Sequence, residues 1–161
     1  MNAFAGKAHA NTGPRDVVLG ELAGRVLSVT RQHPVRVAID GCSAAGKTTL
    51  ADELADAVRE RTARAVIRVG IDYFKRARAL RTAFPPDSPE SYYLDSWDYA
   101  AVRDLLLIPL GPGGSRRYRS AVMDLGARVA VEAPVEVAPD DAILLADGAF
   151  LQRPELDALW D

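Results

Sequence analysis

The chain has 161 residues, 48% of them hydrophobic and 26% charged, with a formal net charge of −2. That length supports one domain with a buried core, and that charge gives no general attraction to nucleic acid or to anionic membranes. A single cysteine excludes an internal disulfide, no Cys/His cluster suggests a structural metal, and the two histidines, His9 and His33, offer little for histidine-dependent chemistry.

Residues 1–15 are small and polar, without the apolar centre of a secretion signal, and read as a disordered leader to a domain spanning 16–161. No apolar run approaches membrane-spanning length, so the expected location is the cytoplasm. From Asp16 to Gln32, the spacing of Val18, Leu22, Val26 and Val29 predicts a helix with one apolar face, stopped by Pro34. Val35-Arg36-Val37-Ala38-Ile39-Asp40 alternates and is β-branched, as a strand should be.

Gly41-Cys42-Ser43-Ala44-Ala45-Gly46-Lys47-Thr48 follows at once, and Thr49-Leu50-Ala51-Asp52-Glu53-Leu54 after it is good helix material. A Gly-x-x-x-x-Gly-Lys-Ser/Thr loop between a strand and a helix is the pattern that wraps the phosphates of ATP or GTP. Gly41 and Gly46 let the main chain turn tightly and aim its N–H groups at phosphate oxygens. Cys42, Ser43, Ala44 and Ala45 are small enough for close backbone approach, and the helix N-terminus adds its positive dipole end. Lys47 supplies a charge for the β- and γ-phosphates, and the Thr48 hydroxyl is the expected Mg²⁺ ligand, with Thr49 completing the loop.

In the helix that follows, Leu50, Leu54 and Val58 mark the buried face. Ala65 to Ile71 reads as a second strand, interrupted by Arg68, which makes a βαβ unit and implies a parallel sheet. Asp72 ends that strand, where it could take a proton from an attacking hydroxyl. Tyr73 and Phe74 after it are candidates to stack on an acceptor, one of them being core.

Residues from about 75 to 138 read as an insertion on the acceptor side, first basic (Lys75, Arg76, Arg78, Arg81), then proline-rich. Within it Asp98 to Leu107 is an expected helix burying Val102, Leu105 and Leu106, and Gly111-Pro112-Gly113-Gly114 is a turn. Short strands are expected between Arg128 and Val137, broken at Pro134. Tyr92, Tyr93, Trp97 and Tyr99 could line an acceptor pocket or pack beneath the insertion, and Arg76, Tyr118 and Arg119 are further candidates for acceptor contact. Ala142 to Ala146 is a buried apolar strand ending in Asp147-Gly148. A carboxylate there suits the second half of a Mg²⁺ site, because ligands collect at the carboxyl ends of parallel strands.

Three stretches together resemble the uridine kinase and phosphoribulokinase group of P-loop kinases. Gly41–Thr49 is similar to that group's phosphate loop. Ile71-Asp72-Tyr73-Phe74 resembles its Asp-x-Phe-Tyr motif, with Lys75 where Tyr is usual, and Leu144-Leu145-Ala146-Asp147-Gly148-Ala149-Phe150 resembles its apolar strand ending in Glu-Gly. Weaker echoes fall at Tyr93–Asp98 and Arg117–Asp124. The resemblance implies a P-loop NTPase fold, a three-layer α/β/α arrangement around a parallel sheet. It implies a kinase that uses ATP and Mg²⁺, with Asp72 as catalytic base, Lys47 on the phosphates and Thr48 and Asp147 at the metal. A small-molecule hydroxyl, most simply that of a nucleoside, would be the acceptor. No histidine follows His33, so the group's substrate-binding histidine has no counterpart. The group's last two parallel strands and arginine-bearing lid are missing after Asp161, and the expectation is an incomplete piece of a protein of roughly 200 residues. The remaining expectations are no nucleic-acid or membrane partner, an open question of self-association, and, as the alternative function, a regulatory nucleotide-binding module that transfers no phosphate.

Overall fold

The most apolar segment of the sequence becomes the centre of the sheet. A computed structural model describes residues 13–161. In chain order it has α1 (Pro14–Ser28), β1 (Val35–Asp40), α2 (Lys47–Arg59), β2 (Val66–Gly70), α3 (Tyr99–Val102), β3 (Arg117–Tyr118), β4 (Met123–Asp124), β5 (Val129–Ala130), β6 (Glu136–Val137) and β7 (Ile143–Gly148). The main sheet runs β1-β7-β2, with both pairings parallel. The two strands nearest in sequence are therefore not neighbours, since β7 lies between them.

Every residue of β7 is buried. Its alternation sends Ile143 and Leu145 toward α1 and α2, where they join Ala23, Val26, Leu54 and Val58. Leu144 and Ala146 face the other way, into a core with Phe74, Val102, Leu106 and Leu151. A strand covered on both faces needs apolar residues at every position, which is why 143–146 is continuous rather than alternating.

The helices correct the sequence reading in detail. α1 starts at Pro14, with the Gly13 N–H donating to the Asp16 carboxylate at 3.0 Å, and ends at Ser28. Its packed face is Leu19, Leu22, Ala23 and Val26, while Val18 is exposed and Val29 lies past the end. The other twelve residues of the expected leader, His9 included, lie outside the described residues. In α2 the buried stripe is Ala51, Leu54, Ala55 and Val58, so Leu50 sits at its margin. α3 is a single α-turn that continues as a wider π-turn over Arg103–Leu107. The extra residue per turn rotates the face, and Leu107 is buried in place of Leu105.

A 3₁₀ turn at Ile71–Phe74 leads into the insertion, which forms a 3₁₀ turn at Arg78–Leu80, a π-turn at Ser91–Asp95, and a β-arm. In the arm β3 pairs antiparallel with β6, and β4 with β5 nested inside it.

At the amino end of β1 the Asp161 carboxylate accepts from the Arg36 backbone N–H and from Arg36 Nε, each at 3.0 Å. Arg31 Nε lies 3.1 Å from its other oxygen and His33 Nε2 3.8 Å away. Burial alone would raise this carboxyl, but the Arg36 hydrogen bonds, with attraction from Arg36 and His33, hold it below the ordinary Asp value. A carboxyl depressed in the folded state adds stability above its unfolded pKa of about 3.9, lost as pH falls through the folded value. Acid denaturation followed by circular dichroism is expected to show a shallower loss of stability below about pH 4 for Asp161→Asn than for the wild type, with the variant less stable at neutral pH.

Candidate active site

The phosphate loop leaves β1 through Asp40, whose carboxylate holds it from two sides. Oδ1 accepts from the Gly41 N–H at 2.7 Å, and Oδ2 accepts from the N–H groups of Leu151 and Gln152 at 3.1 and 3.2 Å. Asp40 thus ties the loop to the segment after β7, a positioning role that no local pattern announces. Gly46 caps α2 at φ 79°, a conformation L side chains rarely adopt. The first-turn N–H groups of α2 have no partner within the helix and open toward the cleft. Lys47 Nζ donates to the Cys42 carbonyl at 2.7 Å, folded over the loop it would help a phosphate to fill.

Asp147 closes β7 at 5% exposure. The Thr48 hydroxyl donates to its Oδ2 at 2.7 Å, joining the start of α2 to the end of the central strand. Its Oδ1 lies 2.7 Å from Arg68 Nη2, but the pair lacks hydrogen-bond geometry and this buried oxygen accepts no hydrogen bond. Gly148 follows because a Cβ there would come within 2.8 Å of the Ile71 Cβ. A carboxylate with an unused lone pair beside a hydroxyl offers hard oxygen donors, which fits Mg²⁺. Among the described residues no group of three His, Cys, Asp or Glu side chains gathers to hold a metal.

Asp72 sits in the 3₁₀ turn after β2, about half exposed. Its Oδ1 accepts from Trp97 Nε1 at 3.2 Å and faces Lys75 Nζ at 3.0 Å. Lys75 also lies 5.4 Å from the centre of the Trp97 ring. The loop, Asp72 and Asp147 line one cleft of about 790 Å³ at the carboxyl ends of the strands, together with Arg68, Tyr73, Lys75, Tyr92, Trp97 and Leu125. Tyr92 reaches across from the insertion to share a short hydrogen bond with the Ser43 hydroxyl, so the acceptor segment touches the phosphate loop directly.

Of the acceptor candidates, Tyr73, Tyr92 and Trp97 line this cleft. Phe74 is fully buried and belongs to the core. Arg76 is paired with the buried Asp95 and faces a separate cleft of about 430 Å³. Tyr93 packs edge-on against Phe150 and under the Arg153 guanidinium. Tyr118 is buried in the β-arm, donating to Glu136, and burial, reinforced by Glu136, pushes its hydroxyl up to about 12. Arg119 holds the arm through the Ala133 carbonyl and Glu132. These four side chains build the acceptor-side scaffold, and the cleft wall is made by Lys75, Trp97, Tyr92 and Leu125 instead.

No protein-family model matches the sequence, and no curated protein is significantly similar to it. Solved structures do match. One described as a "possible uridine kinase" from Bacillus stearothermophilus superposes with a TM-score of 0.75 over 89% of this chain and 76% of that chain, at 24% identity. Another, a candidate fructose transport system kinase from Silicibacter sp. TM1040, gives 0.66 over 88% and 70%, at 22% identity. The chain therefore has the fold of these two kinase structures.

If the loop is a phosphate cradle, Lys47→Ala removes its main positive charge without touching the core. Isothermal titration with MgATP is expected to show affinity reduced by about tenfold or more, with an unchanged circular dichroism spectrum.

Proposed function

We propose that the protein is an ATP-dependent phosphotransferase that moves the γ-phosphate to a hydroxyl of a small molecule, a nucleoside or a related sugar-like compound. The observation that carries this reading is the convergence of the phosphate loop, Asp147 and Asp72 on a single cleft. A nucleotide-binding module without transfer would need the loop and Asp147 but not a second carboxylate, partly exposed and held by two donors, further along the same cleft. The two structural neighbours, a possible uridine kinase and a candidate fructose transport system kinase, support acceptors that carry sugar hydroxyls.

Phosphate oxygens would be held by the loop N–H groups, the end of α2 and Lys47. Thr48 and Asp147 would hold Mg²⁺, which when bound neutralises charge on the β- and γ-phosphates. Trp97 Nε1 and Lys75 fix the Asp72 carboxylate through Oδ1. Asp72 then has a free lone pair for the acceptor hydroxyl proton. The acceptor oxygen forms its bond to the γ-phosphorus, the bond from that phosphorus to the bridging oxygen breaks, ADP leaves, and the proton passes to Asp72. Positioning and charge neutralisation provide most of the rate.

ADP release in the presence of MgATP and a panel of nucleosides and sugars is expected to depend on one acceptor. Asp72→Asn should lower kcat by about 10²-fold or more while leaving ATP affinity near wild type. Full acceptor-dependent turnover by that variant would remove Asp72 from the mechanism, and ATP binding with no acceptor-stimulated turnover across the panel would favour the regulatory module.

A further inference from the structure

Arg68 is out of place as a strand residue. It interrupts an otherwise apolar β2 in register with Leu145, and its side chain ends inside the cleft. Oxygen atoms surround the guanidinium. Asp52 Oδ1 accepts from Nε at 2.9 Å, the Val69 carbonyl accepts from Nη1 at 3.0 Å, and the Thr48 carbonyl lies 3.5 Å from Nη2. Asp147 Oδ1 is 2.7 Å from Nη2. Asp52 is four residues after Thr48 on α2, so both stand on one helix face.

The two carboxylates hold Arg68 differently. The Asp52 contact is a well-formed hydrogen bond to a side chain 60% exposed. The Asp147 contact is charge apposition to a side chain 6% exposed, without hydrogen-bond geometry. Arg68 is thus anchored at Asp52 and Val69 and leans on Asp147. A buried carboxylate needs a counter-charge, and here the counter-charge is covalently tethered to β2.

We propose that Arg68 occupies the electrostatic place of the metal beside Asp147, and so makes divalent-ion binding conditional on the nucleotide. The inference rests on Thr48 and Asp147 being the metal-holding pair. A bare divalent ion approaching Asp147 meets a fixed positive charge a few ångströms away, a repulsion that partial burial leaves poorly screened. An ion that arrives with polyphosphate brings the negative charge that satisfies both cations. Asp52 gives Arg68 a second partner, so it can withdraw from Asp147 without being left unpaired.

Titration with Mn²⁺ in the absence of nucleotide, read by the loss of free-ion EPR signal, tests this directly. Arg68→Gln is expected to bind Mn²⁺ about tenfold or more tightly than the wild type, and Arg68→Lys, which keeps the charge, to stay near the wild type. The gain should disappear in the double variant Arg68→Gln with Asp147→Asn. No tighter binding by Arg68→Gln overturns the proposal, as does a gain that survives loss of Asp147. Should Arg68→Gln not fold, the wild type answers alone. Its Arg68 Nε–H NMR resonance is expected to move when Mg²⁺ is added to the ADP-bound protein, and a fixed resonance overturns the proposal. The turnover assay is separate: acceptor phosphorylation without the Mn²⁺ gain sinks this inference alone, and the Mn²⁺ gain without phosphorylation sinks only the phosphotransfer reading.

Discussion

Asp147 is a carboxylate held out of water at the end of the most buried strand, and the architecture of the site follows from keeping it there. Its charge is tolerated because α2 starts beside it with the Thr48 hydroxyl and β2 sends Arg68 across to it. Both neighbours depend on the parallel register of the sheet, which sets Asp147 level with Ile39 on one side and Gly70 on the other. Moving β7 by one residue would turn Asp147 to the other face and exchange the apolar residues feeding the two cores. The same burial therefore fixes where the loop after β1, the start of α2 and Asp147 meet.

This explains which parts of the molecule were legible in the sequence. The limits of β1 and the apolar run of β7 are set by local alternation and continuity, and the phosphate loop by glycines needed at particular backbone angles. Those are short-range constraints: β1 spans Val35–Asp40 as read, β7 contains the apolar run, and Gly46 takes the left-handed conformation that the loop pattern calls for. The faces of α1 and α3 read less well. Val17 and Val18 are as apolar as Leu22 and Val26, yet only packing against α2 and β7 selects which of them is buried. The π-turn that exchanges Leu105 for Leu107 leaves no mark in the spacing of the leucines.

Acceptor-side residues were harder still because their partners are distant in sequence. Trp97 was visible only as one aromatic among several, and its role depends on an N–H that reaches Asp72 from 25 positions away. Tyr93, Tyr118 and Arg119 have the right chemistry for a ligand but find protein partners first. A tyrosine hydroxyl facing a carboxylate and an arginine facing a carbonyl satisfy the same hydrogen-bonding demands that a substrate would, and the sequence does not distinguish them. Lys75 stands where the Asp-x-Phe-Tyr pattern has Tyr. The structure gives that departure a consequence: Lys75 Nζ lies 3.0 Å from Asp72 Oδ1, a cation where the pattern has a neutral side chain.

The charge balance of the cleft shows why its cations cannot be read one at a time. Among the described residues that line it, Lys47, Arg68 and Lys75 face Asp52, Asp72 and Asp147, three positive side chains against three negative ones. Before any ligand enters, the side chains are balanced and each cation is already engaged: Lys47 with a loop carbonyl, Arg68 between two carboxylates, and Lys75 with Asp72. A polyphosphate adds several negative charges at the loop end alone. Main-chain N–H groups of the first α2 turn and the α2 dipole can meet part of that load without breaking an existing pair. The remainder requires either a metal or release of a cation from its present carboxylate. Of the three, Lys47 donates to a neutral carbonyl and would give up no ion pair by moving. Lys75 cannot leave without disturbing Asp72. Arg68 can leave one partner and keep the other, so it is the cation through which the filling of the phosphate end is coupled to the state of Asp147.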